Sequence, residues 1–192
     1  MKNKDYLIVA LLPLALLLIP LTGQLTVDGW HWKWNDFVMA WAVFTFAAWF
    51  FRFLVTRPMA NFAYKAGVAL AVLAGFLVFW ITAAVQIIGD DNPGNALYLL
   101  TILGGFIGVG VSRFRPAGLA IVALTMAAAF LLIPAVAAVC WPSDFSPGYP
   151  KIQLMSAAFA AVFTAPGLLF RHANSKAGST LTAAGGSATL CR

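Results

Sequence analysis

The side chains able to do chemistry in this chain gather where it leaves its apolar segments. Asp28, His31 and Asp36 stand close together and could hold a divalent cation if the loop folded around it. Metal sites, however, repeat their ligands at fixed spacing, and one histidine among loosely placed carboxylates does not. Ser143, His31 and Asp144 or Asp36 have the types of a nucleophile, a base and an orienting acid, but nothing in their spacing joins them. Cys140 and Cys191 form neither a disulfide framework nor a metal motif, and Cys191 reads as an idle thiol. No catalytic residue, metal or cofactor is therefore assigned.

One stretch concentrates aromatic chemistry: Gly29-Trp30-His31-Trp32-Lys33-Trp34-Asn35-Asp36. Extended, it would set Trp30, Trp32 and Trp34 on one side and His31 and Lys33 on the other. Such a ribbon could box a cation or a sugar, with His31 adding a hydrogen bond. Tryptophan is so generally enriched where a membrane meets water that the three indoles read as interface anchors.

The elements that must position these residues follow from composition. The 192 residues are 62% apolar and only 9% charged, with a mean hydropathy of +0.89. A soluble domain uses charge on about a quarter of its positions. Too little polar surface is present to cover a water-facing globule, so lipid must be the solvent over most of the chain. Apolar stretches are long, as a helix crossing a bilayer in about 20 residues requires, and the short alternating segments of a membrane barrel are missing. The fold class is all-α: a polytopic membrane protein with six transmembrane helices in a compact bundle, spanning about 6–22, 37–56, 67–89, 96–112, 117–140 and 152–170.

Turn chemistry separates these spans. Asp90-Asp91-Asn92-Pro93-Gly94-Asn95 is a tight stop with Asn95 suited to cap the next helix. Arg115-Pro116 opens another helix, and Trp141-Pro142-Ser143-Asp144-Phe145-Ser146-Pro147-Gly148 breaks the fifth from the sixth. The first span, led by Lys2 and Lys4, also has the outline of a signal peptide. Pro20-Leu21-Thr22-Gly23 lacks a small-x-small cleavage pattern, and Gln24 stands where a lipoprotein cysteine would be, so the span reads as retained, with Pro13 bending it. The polar, small-residue segment 172–192 can bury too little to offset its ordering entropy and is expected to be a disordered tail.

Charge sets orientation. Of the 12 Lys and Arg, only Lys33 and Lys151 fall on the side that also holds Asp28, Asp36, Asp90, Asp91 and Asp144. Lys2, Lys4, Arg52, Arg57, Lys65, Arg113, Arg115, Arg171, Lys176 and Arg192 fall on the other. The positive-inside rule puts both termini in the cytoplasm of a cell whose inner (plasma) membrane holds the protein. The net charge of +6 forms no run or stripe, which argues against nucleic acid and for acidic phospholipid headgroups as counter-charges. Phe51-Arg52-Phe53, Arg113-Phe114-Arg115 and Phe170-Arg171-His172 share an aromatic-plus-cation texture at these helix ends, as interface anchoring selects.

Within the spans, Arg52 is the only side chain charged at neutral pH, and it lies near enough to an end to reach water. Coupled carriers need such groups at membrane depth. Gln86, an uncharged but strongly polar side chain, makes with Thr82 and Thr101 a candidate polar intramembrane site; a bond from Gln86 to a neighbouring helix is the plainer reading. Gly104 and Gly108 lie one turn apart and would let a second helix approach closely, by default within the same chain.

Trp80-Ile81-Thr82-Ala83-Ala84-Val85-Gln86-Ile87-Ile88-Gly89, Asn92-Pro93-Gly94-Asn95-Ala96-Leu97-Tyr98 and Ser112-Arg113-Phe114-Arg115-Pro116-Ala117-Gly118-Leu119-Ala120 carry a resemblance. Over about residues 37–135 the chain resembles an uncharacterised family of small bacterial multi-pass inner-membrane proteins. Members tend to show Trp-x-Asn, a glycine after Ala-Val, then Ile-Ile-Gly and Asn-Pro-x-Asn before the next helix; here Thr82 replaces that Asn and Gln86 that Gly. The resemblance implies a bacterial origin and a four-helix core, to which the first and sixth spans are additions. It implies no activity.

The expected function is non-enzymatic: a structural or accessory subunit of a membrane assembly, its partners being the bilayer and another membrane protein or a second copy of itself. A transporter or channel for a small or apolar solute is the alternative, and would need a cavity lined by Gln86, Thr101 and their neighbours. An enzyme of the outer leaflet would need His31 to converge with the aspartates.

Overall fold

The computed structural model describes residues 3–26, 32–56, 61–85, 87–88 and 92–189, without the side chains of 3–10, 12, 19, 84–85, 143–148 and 176–189. Its elements are all helical: α1 (Asn3–Thr26), α2 (Trp34–Val55), α3 (Phe62–Val85), a 3₁₀ turn (Pro93–Asn95), α4 (Ala96–Val111), α5 (Pro116–Cys140) and α6 (Pro142–Thr189). Helices suit such a sequence because each satisfies its own backbone hydrogen bonds, which lipid cannot do for it. Five segments are long and apolar enough to cross a membrane: Trp34–Val55, Phe62–Ala83, Pro93–Val111, Pro116–Cys140 and Tyr149–Ser175. In α1 the described apolar run is shorter, Pro13–Thr26, and Pro13 and Pro20 both lie buried within it.

The helix starts have local causes. Lys33, at the N-cap of α2, donates its backbone N–H to the Asp36 carboxylate at 2.7 Å. Asn61 opens α3 by accepting the Tyr64 N–H on its side-chain oxygen at 2.9 Å. Pro116 and Pro142 each take the first helical position, where a missing N–H leaves no bond unmade. For that reason the expected break over 141–148 is confined to Trp141, whose backbone (φ −136, ψ 63) ends α5. The helical backbone also continues across 172–189, where composition favours disorder, so α6 has 48 residues and is about 72 Å long.

The chain divides into two compact units, Met1–Arg57 and Pro58–Arg192. In the first, α1 packs on α2. In the second, α5 and α6 make the most extensive pairing, and contacts of α3 with α6, α4 with α5 and α3 with α4 close a ring of four helices. The resemblance implies a core built from the second to the fifth spans, with the sixth added. The observed four-helix unit is α3 to α6 instead, because α6 supplies the face on which both α3 and α5 lie.

Aromatic rings fill the centre of that ring of helices. Tyr98, Phe130 and Phe159 meet pairwise at 5.7 to 6.1 Å, and Phe163 lies 5.4 Å from Phe130. Ala74, Val78, Ile102, Ala127 and Ile133 pack around them. The outward faces are as apolar as the inward ones: Ile107 is 62% exposed and Leu154 71%. Exposed aliphatic surface on this scale is costly in water, at roughly 25 cal/mol per Å², and costs nothing against acyl chains.

Candidate functional site

Three polar clusters among the described residues bear on the positions singled out by the sequence, and the first is inside the four-helix unit. Tyr98 Oη and Ser156 Oγ, both fully buried, share a hydrogen bond of 2.8 Å that ties α4 to α6. A tyrosine hydroxyl inside an apolar core needs such a partner, and that requirement was the available signal for a pair that spacing alone does not single out. Thr101 turns its hydroxyl back to the Leu97 carbonyl at 2.8 Å, within its own helix. Thr82 is 4% exposed, and its hydroxyl has no hydrogen-bond partner. Gln86, the third member of the candidate intramembrane site, lies outside the described residues. Thr82 and Thr101 are therefore not joined to each other by a bond, and the polar contact at the core centre belongs to Tyr98 and Ser156.

The second cluster is the turn before α4. Asn92, 6% exposed, accepts the Gly94 N–H on its side-chain oxygen at 2.7 Å. Asn95 accepts the Ile88 N–H at 2.9 Å and donates its side-chain amide to the Asn92 carbonyl at 3.1 Å. Asn92 thus caps the 3₁₀ turn, while Asn95, expected to cap α4, reaches backward because its carboxamide meets the Ile88 amide first. Gly94 lies beneath Trp141, and a Cβ there would stand 3.1 Å from the indole. The turn is a self-satisfied structural plug that seats the junction of α5 and α6.

The third cluster is the start of α2. Trp32 donates its backbone N–H to the Gln24 side chain at 2.9 Å and sets its ring edge-on to Phe37 at 5.2 Å. The helix already begins at Trp34, which is 80% exposed, so the alternating ribbon expected across 30–34 does not extend that far. Helix geometry wins there because Asp36 secures the N-terminus. Asp28, Trp30, His31, Asp90 and Asp91 lie outside the described residues, as do Cys191 and the side chains of Ser143 and Asp144. Among the described residues no three of His, Cys, Asp and Glu gather into a group that could hold a metal.

Helix contacts use glycine at specific points. A Cβ on Gly108 would lie 2.9 Å from Val122 Cγ2, and one on Gly105 would run into the Met126 sulfur, so these two residues let α4 approach α5. Gly104 faces open space, with nothing within 4 Å. Gly167 takes the corresponding place between α6 and α5, where Leu124 Cδ2 would stand 2.8 Å from its Cβ.

The class this defines is an all-helical chain with five helices long and apolar enough to cross a membrane. Compared with protein-family models, with curated proteins and with solved structures, the chain matches none.

Proposed function

We propose that this is a six-span protein of a bacterial inner membrane, with both termini in the cytoplasm, acting as a non-enzymatic structural or accessory subunit of a larger membrane assembly. The observation that carries this reading is the filled centre of α3 to α6. Tyr98, Phe130, Phe159 and Phe163 occupy the place where a conduit through the four helices would run, and Tyr98 and Ser156 there satisfy each other. A packed aromatic centre suits a scaffold, because it holds helices in one arrangement and offers a solute no exchangeable polar ligands. The asymmetry of Lys and Arg supports the orientation. The resemblance over 37–135 supports the bacterial inner membrane as the setting and family membership as part of the proposal.

A transporter or channel for a small or apolar solute is the second reading, favoured by the unpartnered, buried hydroxyl of Thr82. Purified protein in liposomes distinguishes the two. Permeation of ions, glycerol and small apolar dyes at the rate of protein-free liposomes is the expected result. Permeation raised by the protein and removed by Thr82→Val would replace the accessory reading with the transport one.

A further inference from the structure

Near the start of α3, Tyr64 is 2% exposed; its hydroxyl donates to the Phe114 carbonyl at 3.3 Å, and its ring lies 5.8 Å from that of Phe170. Gly67 makes room for the same ring, since a Cβ there would lie 2.8 Å from Phe170 Cε1. Asn61 adds a bond from its side-chain amide to the Ala173 carbonyl at 3.2 Å. The start of α3, the turn between α4 and α5, and the middle of α6 are thus fastened at one seam.

The three aromatic residues of the seam have exposed cationic neighbours in the chain. Lys65 follows Tyr64, Arg113 and Arg115 flank Phe114, and Arg171 follows Phe170. Adjacent Cα atoms are about 3.8 Å apart, so these side chains start close around the seam. Two of the aromatic-plus-cation triplets read from the sequence are brought together here. The acidic residues of this half of the chain, Asp90, Asp91 and Asp144, stand in the sequence beside the opposite helix ends. Arg113 and Phe114 also hold φ at 51° and 61°, a left-handed conformation disfavoured for residues with a Cβ. An unfavourable turn retained at a cationic seam points to a role for what it presents.

The cations border apolar surface rather than polar surface. Phe62 is 87% exposed at the start of α3, and Val111 78% exposed at the end of α4. A free anion has no use for that border, whereas a diacyl lipid has both halves to match it. We propose that this seam binds an anionic phospholipid, with Lys65, Arg113, Arg115 and Arg171 around its phosphate and the exposed faces at Phe62 and Val111 against its acyl chains. Arginine suits the role because its guanidinium can give two parallel hydrogen bonds to one phosphate. The proposal rests on the membrane reading above and is independent of whether the protein is an accessory subunit.

The test uses the full chain in neutral detergent, with phosphatidylglycerol, phosphatidylcholine or inorganic phosphate added, followed by thermal unfolding and by native mass spectrometry for retained lipid. Phosphatidylglycerol is expected to raise the midpoint and to stay bound, while the other two additives do neither. Each cation removed lowers the affinity on the order of fivefold, so Arg113→Gln/Arg115→Gln/Arg171→Gln loses on the order of a hundredfold. Lys151→Gln, at the opposite end, behaves as the unaltered chain does. If the triple variant does not fold, Arg171→Gln alone must still weaken retention. Equal binding of phosphatidylcholine, a shift reproduced by inorganic phosphate, or undiminished binding in the Gln variants overturns the proposal.

Discussion

Gly104, Gly105 and Gly108 lie within one stretch of α4, and the three have different surroundings. Val122 faces Gly108 with a β-branched side chain that has little rotamer freedom to retreat. Met126 faces Gly105 with the far end of a flexible one. Gly108→Ala is therefore expected to destabilise by about 1 to 3 kcal/mol through overpacking, and Gly105→Ala by less. Gly104→Ala should be neutral or stabilising by up to about 1 kcal/mol, since alanine loses less backbone freedom in a helix. Unfolding of the three variants in mixed micelles checks the order, and a loss confined to Gly104→Ala would mean that its open face is covered in the native protein. Gly104 and Gly108 were named by their spacing in the sequence. Gly105 was not, because a small-xxx-small spacing names a pair of positions and leaves the rotation of the helix about its axis undetermined. Tyr98 and Ser156 escaped for a related reason: residues 58 apart in sequence declare their pairing only when α4 and α6 are side by side.

At the scale of elements, the turn at 92–95 is the best example of local sequence determining local structure. Asn95 satisfies the amide of Ile88, which is fully buried. Removing that acceptor strands a buried donor, so Asn95→Ala should cost about 1 to 3 kcal/mol. Asn95→Asp keeps an acceptor for Ile88 and should cost less, and faster hydrogen exchange at Ile88 in Asn95→Ala alone would locate the effect. Equal losses in both variants would show that the side-chain donor to Asn92 matters more than the acceptor. The helices were legible because apolar length is a direct requirement of crossing a bilayer. The α5–α6 junction was misplaced because Pro142 and its polar neighbours resemble a loop, although proline at a first helical position is compatible with a helix. The continuation of α6 past Arg171 has a comparable origin: a formed helix propagates through alanine-containing sequence more readily than one nucleates in it.

For the whole molecule, lipid as the solvent was legible from composition alone, and the exposed aliphatic faces accord with it. The grouping of helices was not legible. In water an amphipathic stripe tells which face of a helix packs, but here the faces that meet lipid and those that meet neighbours are equally apolar. Hence the division into Met1–Arg57 and Pro58–Arg192, and the membership of α6 in the four-helix unit, emerge only with the fold. The candidate site suffered most, since Trp30, His31 and Gln86 lie outside the described residues, and the buried side-chain hydroxyls and carboxamides that are described have partners apart from Thr82 and Thr45. The proposed accessory role turns on what the chain assembles with. The measurement that tests this most directly is native mass spectrometry of the protein purified gently from its own host membrane. The expected result is a complex in which the 20.5 kDa chain is held in fixed ratio with a second membrane protein or with further copies of itself. A chain released alone, or carrying a small solute in place of a protein partner, would contradict it.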